Sequence, residues 1–192
     1  MDATIRDIIS QSIDVKTALL ADASTIAAIQ ASVDHCIETL DHAGRVLLCG
    51  NGGSAADAQH IAAELSGRFK IDRQPLDCTA LHVNSSYLTA VSNDYGYDQV
   101  FARILKARGR PGDVLIALST SGNSANVVNA VSQARNQGIV TIGLTGSATG
   151  KMDAYCDVLI KVPSIDTARI QECHITIGHV ICELVERQLA RS

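Results

Sequence analysis

The chain has 192 residues, enough for one domain that buries a sizeable core. It is 46% hydrophobic with no apolar run of membrane-span length, and its opening residues carry no signal-peptide pattern, so a cytoplasmic protein is the expectation. A net charge of −4 disfavours a broad nucleic-acid surface.

Residues 3–21 read as a first helix, with Ile5, Ile8, Ile9, Ile13, Leu19 and Leu20 mostly on one side. Ser24 suits the N-cap of a second helix running to about residue 42. Its apolar positions Ile26, Ile29, Val33, Ile37 and Leu40 follow a near-heptad spacing, which fits either packing on the rest of the domain or a subunit contact. Two helices ahead of the first strand would lie outside a sheet sandwich. An apolar run at 46–49 is too short for a typical helix and reads as a strand. It passes through Gly50-Asn51-Gly52-Gly53-Ser54 into an Ala-rich helix at about 55–65, closed by Ser66-Gly67.

Further strands are expected at 78–83, 114–118, 139–144 and 158–162. Between them lie a short helix from Asn84 to about Ser92, a turn at 93–97, and helices at 99–108 and about 125–137. A long helix at about 167–189 closes the chain. The six cysteines form no C-x-x-C pair and mostly sit in apolar runs, which points to buried free thiols rather than disulfides or a thiolate zinc site.

Strands alternating with helices give an α/β fold, a parallel sheet covered on both faces. Ligands of such sheets bind beyond the carboxyl ends of the strands. Two polar loops fall at that edge. The first, at Asn51, joins a strand to a helix start, where glycines let the backbone approach an anion and unpaired N–H groups face it. The second, Ser119-Thr120-Ser121-Gly122-Asn123-Ser124, offers hydroxyls, a glycine and a helix start. Alone it reads as an ordinary Ser/Thr-rich turn with Ser124 as N-cap; paired with the first loop it reads as a phosphate site. No Walker lysine and no G-x-G-x-x-G fingerprint is present, which disfavours nucleotide cofactors. His60 and Glu64, four apart on the helix after the first loop, share one face and suggest metal binding or proton transfer.

The stretches from Cys49 to His60 and from Leu118 to Ser124 resemble the sugar isomerase (SIS) domain family and, within it, the phosphoheptose isomerases. The resemblance runs nearly end to end and includes Asn93-Asp94 and Arg169-Ile170-Gln171-Glu172. It implies a single three-layer α/β/α domain over 1–192, with a five-stranded, flavodoxin-like parallel sheet in 44–192 preceded by a helical pair in 1–43. It implies conversion of D-sedoheptulose 7-phosphate to D-glycero-D-manno-heptose 7-phosphate, and a homotetramer with sites between subunits. No nucleic acid or membrane partner is implied.

Residue by residue, Asn51, Gly52, Gly53, Asn93, Asp94, Ser119, Thr120, Ser121, Ser124 and Gln171 match substrate-contacting positions. Glu64 matches the family's general base and also contacts substrate; His179 matches its general acid. His60, Glu64, Gln171 and His179 match zinc ligands. Glutamine is an unusual zinc ligand, which weakens the metal reading on chemistry alone.

Read without the resemblance, His60 is an ordinary polar-face residue, Glu64 a solvated one, and His179, within Ile177-Gly178-His179-Val180-Ile181, a core histidine. A non-catalytic tetramer that binds the bacterial replication initiator shares this size and fold, and a sugar-phosphate sensor is a third possibility. A scaffold has no chemical need for Glu64, His179, His60 and Gln171 together. Spacing adds one more expectation. Eight residues of helix separate Gln171 and His179 by roughly 12 Å along the axis. Two ligands so far apart fit one ion if the helix begins after Gln171, or if one of them serves the His60 and Glu64 of a neighbouring subunit.

Overall fold

The structure, a computed structural model, describes residues 2–190. Five parallel strands, β1 (Val46–Cys49), β2 (Cys78–Ala80), β3 (Val114–Leu118), β4 (Val140–Thr145) and β5 (Val158–Lys161), form one sheet in the order β2-β1-β3-β4-β5. The order reverses between β1 and β3. The expected five-stranded, flavodoxin-like sheet is therefore observed.

Seven α-helices accompany the strands: α1 (Asp2–Ala21), α2 (Ala23–Asp41), α3 (Gly53–Ser66), α4 (Ser85–Tyr95), α5 (Val100–Arg108), α6 (Ala125–Asn136) and α7 (Thr167–Leu189). Successive residues of a strand point to opposite faces. Val46, Leu48, Ile116 and Ile142 accordingly pack with Val33, Ile61, Leu65, Ile177 and Ile181, on α2, α3 and α7. Leu47, Leu115 and Ala117 face the other way, against Phe101, Leu105, Val127 and Val131, on α5 and α6. Both strand faces are buried, which is why these strands read as unbroken apolar runs rather than alternating ones.

Several boundaries differ from the sequence expectation. The cap of α2 is Asp22, not Ser24: its carboxylate accepts from the Ser24 N–H and from the Ser24 and Thr25 hydroxyls. The Thr25 and Ser24 hydroxyls hold that carboxyl down at about 2. Strand β2 stops at Ala80, three residues early, and Asn84 then caps α4 by accepting from the Tyr87 N–H. Asn93 and Asp94 lie within α4 rather than in a turn, because the stop comes at Gly96, whose φ of +90° suits glycine. Helix α2 is not outside the sandwich: Ile29 and Val33 of its stripe are buried in the core, while Ile26 is exposed. Only α1 lies outside, with none of its described residues buried. The six cysteines are free, and all but the half-buried Cys156 are buried. Among the described residues, no helix is long and apolar enough to cross a membrane.

His174 is fully buried on α7, and its Nε2–H donates to the Thr145 carbonyl at 3.3 Å while Nδ1 has no partner. Burial lowers its pKa from 6.5 to about 4, against the opposing pull of the Thr145 bond. A group depressed in the fold contributes stability that is complete above its unfolded pKa and is lost as pH falls toward its folded one. Urea unfolding at pH 7 and pH 5 should show the wild type losing about 2 kcal/mol more than His174→Gln does across that interval.

Candidate active site

The site is built at the reversal between β1 and β3, where the two strands' outgoing loops diverge. Asn51 from the first loop and Asn126 from the first turn of α6 exchange two amide hydrogen bonds, each 2.9 Å. Asn126 is buried and its oxygen also accepts from the Val127 N–H. The Tyr97 hydroxyl donates to the Asn51 oxygen at 3.0 Å, which draws in the segment that follows α4. Asn93 and Asp94, at the end of α4, are exposed and hydrogen-bonded to each other. Neither Asn126 nor Tyr97 stood out in the sequence; one lay inside an expected helix, the other in a turn.

Both helices that leave these loops begin without a side-chain cap. Gly52 precedes α3 and offers none; Ser124 precedes α6, but its hydroxyl accepts from Ser119 at 3.2 Å and caps nothing. Neither helix start is thus capped by the side chain of the residue before it, and Ser124 does not act as the expected N-cap. The loop's shape is held by its own backbone: Gly122 N–H donates to Ser119, and Gly146 N–H donates to Thr120. Ser119 is buried and Ser121 exposed. A cavity of about 220 Å³ opens beside the loop, lined in part by Thr120, Ser121, Asn123, Ser164 and Thr167.

The second half of the site lies between α3 and α7. These helices cross closely at Gly178, where an added β-carbon would lie 2.5 Å from Ile61 Cδ1. That approach brings His179 of α7 onto His60 and Glu64 of α3. The two Nε2 atoms are 3.0 Å apart, and Glu64 Oε1 is 3.3 Å from His60 Nε2. Phe69 stacks on the His179 ring, with centroids 5.6 Å apart and planes 27° from parallel. Asp57, three residues before His60, presents a buried oxygen without a hydrogen-bond partner. Burial raises its pKa, while the charges of His60 and His179 pull it down. The i, i+3 spacing from His60 was its sequence signal.

Gln171, two turns earlier on the same helix, lies against the first residue of α3. A β-carbon at Gly53 would lie 2.6 Å from Gln171 Nε2, so the amide occupies the space that the missing side chain leaves. Helix α7 begins at Thr167, so the idea of a flexible lead-in carrying Gln171 is incorrect. Of the two residues one of which was expected to serve a neighbouring subunit, His179 needs no second chain, because one chain brings His60, Glu64 and His179 together.

Those three side chains can hold a metal ion. Their ligand atoms lie within 4.8 Å of one another. Two donors on a tetrahedral zinc with bonds of about 2.0–2.1 Å sit roughly 3.3 Å apart. The observed 3.0 and 3.3 Å separations match that edge.

Residues 13–146 match the SIS domain. The chain belongs to the SIS domain family. Within it the phosphoheptose isomerases are similar over nearly their full length. The one from Aneurinibacillus thermoaerophilus is 49% identical over 192 residues, covering 100% of this chain and 97% of its own. The one from Roseiflexus sp. is 52% identical over 183 residues, covering 95% and 92%. The solved phosphoheptose isomerase from Neisseria gonorrhoeae superposes with a TM-score of 0.91 at 41% identity, covering 97% of this chain and 98% of that one.

Replacing Asn126 with alanine leaves the Asn51 amide without its reciprocal partner. An orphaned polar group costs about 1–3 kcal/mol. The Asn126→Ala variant should unfold earlier in urea by that amount and show a raised KM for sugar phosphate, measured by steady-state kinetics.

Proposed function

We propose that the chain interconverts D-sedoheptulose 7-phosphate and D-glycero-D-manno-heptose 7-phosphate, the aldose–ketose isomerisation that opens heptose synthesis for bacterial surface polysaccharide. The observation that carries this reading is the convergence of His60 and Glu64 of α3, a helix with an uncapped start, with His179 of α7 in one chain. Near full-length similarity to phosphoheptose isomerases at about half identity supports it.

The chemistry follows from the residues. The phosphate is held by Ser119, Thr120, Ser121 and Ser124 and by the N–H groups at the start of α6, neutral donors that fix a dianion without a lysine. Asn51, Gly52 and Gly53 line the β1 loop, with Asn93, Asp94 and Gln171 completing contacts to the sugar. Moving the carbonyl between C1 and C2 requires taking a proton from one carbon and returning it to the other through a cis-enediol. Glu64 is the base for that transfer, and His179 moves the proton on oxygen.

Zinc fits the same cluster. His60, Glu64 and His179 would hold it, with Gln171 as the fourth ligand, and it would supply Lewis acidity to the carbonyl and hydroxyl oxygens. A carboxylate has two oxygens, so Glu64 can hold an ion with one and face substrate with the other.

The assembly is a homotetramer. Ile5, Ile8, Ile9, Ile13 and Leu20 of α1, Ile26 of α2 and Val180 of α7 are exposed, and an apolar cavity of about 380 Å³ lies between α1, α2 and α7. So much apolar surface on a monomer is an association liability. Sedimentation velocity should find about four subunits per particle, and a stable active monomer at micromolar concentration would overturn the assignment.

Incubation with sedoheptulose 7-phosphate and detection of the aldose phosphate tests the activity directly. Glu64→Gln keeps the side chain's shape and loses the base, so turnover should fall by about 10²–10⁴ while substrate still binds. Because one chain supplies both groups, reassembling Glu64→Gln with His179→Gln subunits should restore no activity.

A further inference from the structure

The segment that links α3 to β2 passes over the His60, Glu64 and His179 cluster, and its path is fixed from below by Glu186. This residue, on the last turns of α7, is 1% exposed. Its carboxylate accepts three successive backbone N–H groups: Phe69 at 2.9 Å on Oε1, and Lys70 at 2.6 Å and Ile71 at 3.0 Å on Oε2. Burial alone would raise its pKa; those three bonds and Arg73 outweigh it and keep the group ionised.

Arg73 is its ion partner, with Nε 3.3 Å from Glu186 Oε1 in an orientation that makes no hydrogen bond. The guanidinium spends its donors on backbone instead. Nη2 donates to the Glu64 carbonyl at 3.0 Å, and Nη1 to the carbonyls of Leu65 at 2.9 Å and Gln74 at 3.0 Å. Helix-end carbonyls need such partners, and here they belong to the turn that carries Glu64. The pair thus ties one loop to both helices of the site, and the side chain it delivers is Phe69, stacked on His179. Lys70 backs the ring from outside, 5.3 Å from its centroid, and pairs with Glu183 at 2.6 Å.

We propose that Phe69 is a positioning residue for His179, its aromatic plane setting the tilt of the imidazole, and that the Glu186–Arg73 pair holds Phe69 in place. This rests on His179 acting as the proton-moving group of the isomerase. A side chain that merely filled space would need only apolar volume; the stacked plane is what a rotatable imidazole requires to present one nitrogen in one direction.

Three variants of the full-length protein test it: Phe69→Leu keeps apolar volume, Phe69→Tyr keeps the ring, and Glu186→Gln has only one oxygen for the three N–H groups. Phe69→Leu and Glu186→Gln should each lower kcat about 10–100-fold with KM within about twofold, while Phe69→Tyr retains kcat. The His179 ring-proton resonances, which feel the ring current of Phe69, should move in the Leu and Gln variants and stay near wild type in the Tyr variant. If Glu186→Gln does not fold, Arg73→Lys, which keeps the charge and loses the fork, should give the same pattern. Wild-type kcat in Phe69→Leu, or equal losses in the Leu and Tyr variants, overturns the role of the ring. Wild-type kcat in a folded Glu186→Gln or Arg73→Lys overturns the clamp. Full activity in His179→Gln instead overturns the assignment of His179 itself, whatever Phe69 does.

Discussion

The close crossing of α3 and α7 is the constraint on which the site depends. At Gly178 the helices meet without a side chain between them, and Ile61 fills the space. Interiors packed to crystal density do not absorb an extra methyl without displacement. A wider crossing would carry His179 away from His60 and Glu64, and their ligand atoms now lie within 4.8 Å of one another. Polar side chains meet here only because apolar ones one residue away fit together. Ile61 follows His60, and Gly178 precedes His179, so each half of the contact is adjacent in sequence to a functional group.

A second constraint acts at the sheet. The reversal of strand order at β1 and β3 opens a crevice, and its two loops need a tie across it. The Asn51–Asn126 amide exchange is that tie, buried enough to be worth more than a solvated pair. Tyr97 adds a third strut. Between the ties, two helix starts lack a side-chain cap from the residue before them, since one is preceded by glycine and the other by a serine whose hydroxyl is engaged elsewhere. The proposed phosphate site would therefore be made from what the backbone leaves unpaired, with the side chains holding the loops around it.

The two faces of the molecule divide the labour. Helices α5 and α6 complete one side of the core. Helices α2, α3 and α7 cover the other, and α1 rests on that layer from outside: the Arg169 guanidinium donates to the Ile8 carbonyl, and Lys16 lies 4.0 Å from Glu172. The exposed isoleucines of α1 and the His60, Glu64 and His179 cluster thus lie on the same side of the sheet, linked through α7. A subunit contact on α1 would brace the helix that carries His179 and Gln171.

The sequence by itself determined the elements and most of the candidate residues. The central strands β1 and β3 were legible because each is buried on both faces and reads as an unbroken apolar run. The long closing helix was legible end to end, from Thr167 to Leu189. His60 and Glu64 could be paired from spacing alone, since one helical turn puts them on one face. The tertiary structure alone decided that His179 joins them within one chain. That depends on a crossing angle and a single glycine between helices more than a hundred residues apart, and no local pattern carries it. It also decided that Asn93 and Asp94 sit in a helix, because the stop set by Gly96 outweighed their turn propensity, that Asn126 and Tyr97 bond Asn51, and that Glu186 holds the backbone of Phe69, whose ring stacks on His179. Each of these acts through a partner distant in sequence, so its residue type and local spacing alone said nothing of it.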